Sequence, residues 1–248
     1  MRVVIVYQPG LVNDAIVAAV RAHPRVREAL TVVERQGPLT TLRRVFARRH
    51  QPLFTTIDRL GFLAVYGVAL RSQVDRTVTA ALGRVACPPP DAAVDAANDA
   101  LPRLIELAPD LVLVLGTTWL DGRWATLRCP VLNLHTGRVP RDRGRFCWFW
   151  PALEGRWSDL AISIHHVAPT MDAGPAVSVH TYAVPEAERG DLGALLAAAA
   201  IASRTACLAL LDRWPPDPTP AAATELCGPM RFEPGLSDLL RFWRERQQ

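Results

Sequence analysis

LVLVLGTT at residues 111–118 and PVLNLHTG at 130–137 decide the fold. The first is a continuous apolar run, the composition of a parallel strand buried on both faces. The second places Asn133 and His135 two residues apart, and both runs end in small or polar residues. Open α/β sheets bind ligands beyond the carboxyl ends of their strands, so the chemistry is expected just after Leu115 and around His135.

Working outward, RVVIVY at 2–7 reads as another strand, followed by Pro-Gly and an amphipathic helix from Asn13 to about His23 with Asn13 or Asp14 as its cap. ALTVVER at 29–35 reads as a strand of the same sheet. Residues 38–83 break this rhythm, with an Arg-rich stretch (TLRRVFARRH) and apolar residues at helical spacing from Ile57 to Leu82. They predict two or three inserted helices. Pro88, Pro89 and Pro90 precede a helix expected at about 91–107. Downstream, FCWFWPALEG at 146–155 predicts a short aromatic helix, LAISIHHV at 160–167 and AVSVHTYAV at 176–184 two strands, and 191–214 a long Ala-rich helix. The expected architecture is α/β and Rossmann-like: a mostly parallel central sheet with helices on both faces. A main domain is expected over 1–214, and a Pro-rich linker with a C-terminal helical segment over 215–248.

Composition narrows the chemistry. All 28 basic residues among the 248 are Arg, since Lys is absent. A Schiff-base lysine, a pyridoxal phosphate linkage and a P-loop lysine are thereby excluded. The five cysteines, Cys87, Cys129, Cys147, Cys207 and Cys227, form no CxxC pair, so reduced thiols are expected rather than a disulfide framework. Mean hydropathy is +0.11. No apolar run reads as a membrane span, and MRVVIVYQPG reads as a strand rather than a secretory signal. A soluble, cytoplasmic protein is expected. No metal site is expected either, because His165 and His166 alternate to opposite faces without a Cys or carboxylate at ligand spacing, and both read as structural.

VLNLHTGRVPRDRG at 131–144 and MDAGPAV at 171–177 together resemble the formyltransferases that use 10-formyltetrahydrofolate, a family that includes glycinamide ribonucleotide, methionyl-tRNA and amino-sugar N-formyltransferases. Asn133, His135, Gly137, Pro140, Arg143, Gly144, Asp172 and Gly174 carry the resemblance, which extends over roughly 108–184. It implies a Rossmann-like formyltransferase fold with Asn133, His135 and Asp172 as catalytic residues. It also implies a folate pocket at Leu115, Gly116, Thr117, Ala168, Pro169, Thr170 and Met171, and acceptor contacts at Gly137, Arg143, Gly144 and Trp148.

The chemistry of those residue types agrees. Moving a formyl group to an amine builds negative charge on the formyl oxygen, which positioned donors stabilise. Asn133 and His135 lie on one face of a strand and can converge there. A protonated His135 would be the stronger donor, with Asp172 holding the imidazolium or passing on the amine's proton.

QPGLVND after the first strand lacks the family's glycine-rich phosphate loop, and fewer than 40 residues follow the long helix, too few for a tRNA-binding domain. The expected acceptor is a small amine, anionic or sugar-like, with no nucleic acid or membrane partner and with a homodimer as the expected assembly. The acceptor is expected to lie against residues 143–150 and the inserted helices. The Arg-rich stretch reads as a solvated helix face. The alternatives are a 10-formyltetrahydrofolate hydrolase, with water in place of the amine, and a non-catalytic ligand-binding or DNA-binding protein.

Overall fold

The computed structural model describes residues 1–35, 53–87, 89–215 and 227–245. The Arg-rich stretch and most of the Pro-rich linker lie outside them.

A seven-stranded sheet organises the chain. Its strands are β1 (Arg2–Tyr7), β2 (Glu28–Glu34), β3 (Ala92–Val94), β4 (Leu111–Leu115), β5 (Val131–His135), β7 (Ala161–His166) and β8 (Ala176–Thr181), in the order β3-β2-β1-β4-β5-β7-β8. The pairs from β3 through β5 are parallel, whereas β7 and β8 run antiparallel. The expected mostly parallel sheet, with β4 beside β5, is therefore found.

Strand alternation sorts the core onto two faces. Val3, Ile5, Leu113, Leu115, Leu132 and Leu134 pack on one face with helices α1 (Leu11–Arg21), α3 (Arg71–Leu82) and α6 (Leu192–Asp212). Val4, Val6, Val112, Val114 and Val131 pack on the other with α4 (Leu101–Leu107) and Trp124. Helix α6 is long and apolar enough by composition to cross a membrane, contrary to the reading of the sequence. Here its Leu195, Ala199, Ala206 and Leu211 are buried in the core, so its apolarity is used in packing.

Three local expectations change. Residues 91–107 are not one helix: Ala92–Val94 form edge strand β3, because the Asp91 carboxylate accepts from the Thr31 amide at 2.8 Å and its hydroxyl at 2.9 Å and docks the segment on β2. A 3-10 turn and the short α4, with Pro102 in its first turn, follow. Helix α1 begins at Leu11 rather than Asn13, and Asn13 caps nothing; its amide donates to the Gln8 carbonyl at 2.8 Å. The aromatic helix shrinks to α5 (Trp150–Leu153).

Between β2 and β3 stand α2 (Leu53–Ala64) and α3, joined by a π-helical stretch at Val65–Leu70. The C-terminal helix α7 (Leu236–Glu245) packs against α2: Asp58 accepts from the Ser237 amide and hydroxyl at 2.9 and 2.6 Å. Phe242 of α7 reaches the main core, 5.3 Å from the Phe149 ring. Just before α7, β9 (Met230–Arg231) pairs with β6 (Arg143–Gly144) as a second, two-stranded sheet. The C-terminal segment thus crosses back over the carboxyl end of β5.

Phe242 is 3% exposed. Phe242→Ala is expected to destabilise the whole protein by about 3 kcal/mol in a single transition, since a buried aromatic ring leaves a cavity. Urea unfolding followed by circular dichroism tests this; an early, separate loss of α7 alone would show that the helix is not part of the common core.

Candidate active site

Register places the polar side chains. Asn133 pairs with Val114 on β4 and with His165 on β7, so Asn133, His135 and His165 project to one face. The antiparallel pairing opposite Asn133 brings the His165 ring into the same cluster. Asp172 comes from the loop between β7 and β8, which is folded tightly onto the end of β7. Gly174 permits this, because a Cβ there would collide with the His166 carbonyl. Asp172 itself has φ +50°, a left-handed conformation that Asp and Asn tolerate better than most residues.

The Asp172 carboxylate is 9% exposed. It accepts from the Gly144 amide at 2.9 Å and from the Asn133 amide at 3.3 Å, and faces His135 Nδ1 at 3.6 Å and His165 Nε2 at 3.7 Å. Burial alone would raise its pKa. At the acid pH where this carboxyl titrates, the facing His135 and His165 side chains can carry charge, and together with the Gly144 N–H they outweigh burial and pull its pKa down to about 2, so it is a carboxylate at neutral pH. The Gly144 bond requires β6 to lie close, and Gly144, at φ +99°, leaves room for the Arg231 carbonyl where a Cβ would collide.

His135 carries no resting positive charge. Burial lowers its pKa below the usual imidazole range, against the pull of Asp172. The expectation of a protonated His135 is corrected for this reason: the desolvation penalty on an imidazolium exceeds the attraction of one carboxylate. Its Nε2 lies 2.7 Å from the Asp142 carbonyl, which can only accept, so the hydrogen sits on Nε2 and the bare Nδ1 faces Asp172. His165 has the opposite arrangement. Its Nδ1 donates to the His166 carbonyl at 2.9 Å, leaving Nε2 to accept from the Asn133 amide at 3.1 Å. Asn133 therefore spends both amide hydrogens on His165 and Asp172, and must release one to donate to a substrate oxygen.

These groups open into a cavity of about 590 Å³, a size typical of small-molecule sites. Of the residues assigned to folate by resemblance, Gly116, Thr117, Ala168 and Met171 line it; Leu115, Pro169 and Thr170 do not. Of those assigned to the acceptor, Gly144 and Trp148 line it, whereas Gly137 and Arg143 stand behind the wall. Gly137 is a close-packing position beneath His135, and Arg143 donates to the Met171 carbonyl at 2.9 Å, fastening the Asp172 loop. Trp119 and Met171 leave large apolar surfaces exposed at the rim.

Sequence reasoning missed His165, whose pairing opposite Asn133 is a property of the sheet, and the wall formed by Met230, Arg231 and Phe232. No described residue of the inserted helices lines the cavity. They support it from behind, through the Phe62 ring set edge-on to Phe146 at 5.5 Å.

No protein-family model matches the sequence, and no curated protein does. Solved structures match in architecture. A Mycobacterium tuberculosis protein proposed to be a sugar N-formyltransferase superposes with TM-score 0.57 at 14% identity, over 93% of this chain and 75% of that one. Phosphoribosylglycinamide formyltransferase from Anaplasma phagocytophilum gives TM-score 0.51 at 15% identity, over 82% and 81%. The Helicobacter canadensis N-formyltransferase solved with folinic acid and dTDP-3-aminofucose gives 0.51 at 9%, over 86% and 64%. The chain has the formyltransferase fold. In the formyltransferase fold the resemblance read from residues 131–177 is borne out as architecture, and the chemistry rests on the cavity itself.

The pH dependence follows from Asp172. Its pKa is about 2 in the folded protein against an ordinary 3.8, so it contributes about 2 kcal/mol of stability above pH ~4. That contribution is lost as pH falls through ~2. His135, depressed from 6.5 by burial, acts in the same direction below pH ~6.5. The stability difference between wild type and Asp172→Asn, measured by urea unfolding, is expected to shrink between pH 5 and 2.5; a constant difference would contradict the depressed carboxylate.

Proposed function

We propose that the protein transfers a formyl group from 10-formyltetrahydrofolate to the amine of a small metabolite, with Asn133, His135 and Asp172 as catalytic residues. The observation that carries this reading is the convergence of an ionised, buried carboxylate, a neutral imidazole with its bare nitrogen toward that carboxylate, and a carboxamide, all at one wall of the cavity. The cavity fits the co-substrate in kind, with a rim of apolar surface at Trp119 and Met171 for a flat heterocycle and polar groups at its base. The folinic acid in the Helicobacter structure supports the same choice.

The co-substrate supplies a formyl carbonyl whose oxygen gains negative charge as an amine adds to its carbon. Asn133 donates an amide hydrogen to that charge once it gives up one internal bond. Asp172 and His135 Nδ1 share the proton shed by the attacking amine, and the imidazole becomes a donor as it accepts it. The proton then passes to the departing nitrogen, so the pair returns to its starting state.

The acceptor end is formed by Arg145, Phe146, Trp148, Met230, Arg231 and Phe232. Arg145 faces Glu233 at 3.1 Å, and Arg231 pairs with Glu154 while lying 5.3 Å over the Trp150 ring. With each arginine already opposite a carboxylate, this wall suits a sugar-like amine held by aromatic faces better than a phosphorylated one. At the end of β2, the buried Glu34 side chain accepts from the Thr118 amide at 2.9 Å and the Gln8 side-chain amide at 2.8 Å beside the cavity, which disfavours a phosphate there.

Asp172→Asn keeps the backbone conformation accessible and is expected to lower turnover ~100-fold or more. Asn133→Ala is expected to cost ~100-fold through a lost oxyanion donor. Steady-state assay of folate and formyl-amine products over a panel of small amines checks both. Amine-independent formate release would assign a hydrolase instead, and the absence of folate turnover would overturn the reading.

A further inference from the structure

His135 is held through the Asp142 carbonyl, and Asp142 is an unusual residue in its own right: a carboxylate only 5% exposed whose side chain points away from the cavity. Its Oδ1 accepts from Arg156 NH2 at 2.7 Å, and its Oδ2 lies 3.6 Å from Arg141 Nε. Arg156 also donates to Glu154 at 2.8 and 3.0 Å and to Asp159 at 3.0 Å, so three carboxylates fix one guanidinium. Burial and these acidic neighbours act in opposition on Arg156, and the carboxylates prevail in keeping it charged.

The Asp142 backbone is also held by its amide, which donates to the Arg138 carbonyl at 2.7 Å. Bonds at both ends of the residue, the side chain to Arg156 and the amide to Arg138, fix the direction of the carbonyl between them. That carbonyl takes the Nε2 hydrogen of His135 and so leaves Nδ1 bare toward Asp172. The His165 ring lies edge-on with its centroid 6.2 Å from that of His135, and Gly137 packs close to His135 Nε2.

We propose that Arg156, acting through the Asp142 carboxylate, is a positioning residue that fixes the tautomer and orientation of His135. Its catalytic part rests on the formyltransfer reading; its structural part does not. A guanidinium fork is needed because a single ammonium cannot reach Asp142, Glu154 and Asp159 together.

The test reads the imidazole directly. In 15N-labelled, substrate-free protein at neutral pH, His135 is expected to show the Nε2–H tautomer; an Nδ1–H tautomer would overturn the proposal without reference to any activity. Arg156→Gln and Asp142→Ala are expected to mix the tautomers and lower kcat roughly 10-fold or more with folate KM nearly unchanged, as for a misaligned catalytic group. Asp142→Asn, which keeps an oxygen for Arg156, is expected to retain both the wild-type tautomer and most of kcat. Equal losses in Asp142→Asn and Asp142→Ala would assign the effect to the charge of Asp142 and refute positioning. A wild-type His135 spectrum in folded Arg156→Gln would refute it as well. If the tautomer behaves as expected but no variant or wild-type protein turns over folate, the formyltransfer reading fails and the positioning of His135 stands.

Discussion

A carboxylate removed from water has to be compensated, and much of the architecture around the cavity serves Asp172. Its four partners come from three strands: Asn133 and His135 on β5, His165 on β7, and the Gly144 amide on β6. Each requires something further away. Asn133 meets His165 because β5 and β7 are antiparallel neighbours in a particular register. Gly144 approaches because β6 is pinned to β9, which depends on the chain returning from α6 to lay Met230 and Arg231 against Arg143 and Gly144. Removing one partner would leave part of a buried charge unanswered, which costs more than the bond itself.

Half of this arrangement is local and could be read from residues. Asn133 and His135 share a face because strand side chains alternate, and the short apolar run at 111–115 fits a strand buried on both faces. The other half depends on which strands become neighbours. His165 looked structural because alternation gives a face without naming its cross-strand partner, and only the pairing with β5 sets the ring beside Asn133. The wall at 230–232 follows a Pro-rich stretch that carries no periodic signal, so nothing local indicated its return. The strand at 92–94 was hidden by alanine-rich sequence, where helical propensity is strong and an aspartate docked on β2 decides otherwise.

The absence of lysine shapes the electrostatics as well as the list of excluded enzymes. Arg141, Arg156 and Arg231 interleave with Asp142, Glu154 and Asp159 in a network beside the cavity, three charges of each sign. Guanidinium groups suit such a network, since one fork can satisfy several carboxylates at fixed angles. The network thereby gives rigidity while contributing little net field to the wall that an acceptor would touch. On the proposed reading, cation attraction would be a weak determinant of acceptor binding at that wall, and shape with aromatic contact a stronger one.

The protonation states of His135 and Asp172 follow from their distances to partners rather than from a need for charge. An imidazolium at His135 would be stabilised by a carboxylate 3.6 Å away, but it would be fully buried, and burial prevails. The carboxylate keeps its own charge because it has hydrogen-bond donors, Gly144 and Asn133, that do not depend on a protonated imidazole. The pair therefore rests with a single negative charge and an unprotonated Nδ1, a state ready to take a proton rather than to give one. A substrate amine that arrives and develops positive charge on attack would meet that charge directly, and uptake of its proton by Nδ1 would convert the imidazole into a donor as negative charge grows on the formyl oxygen.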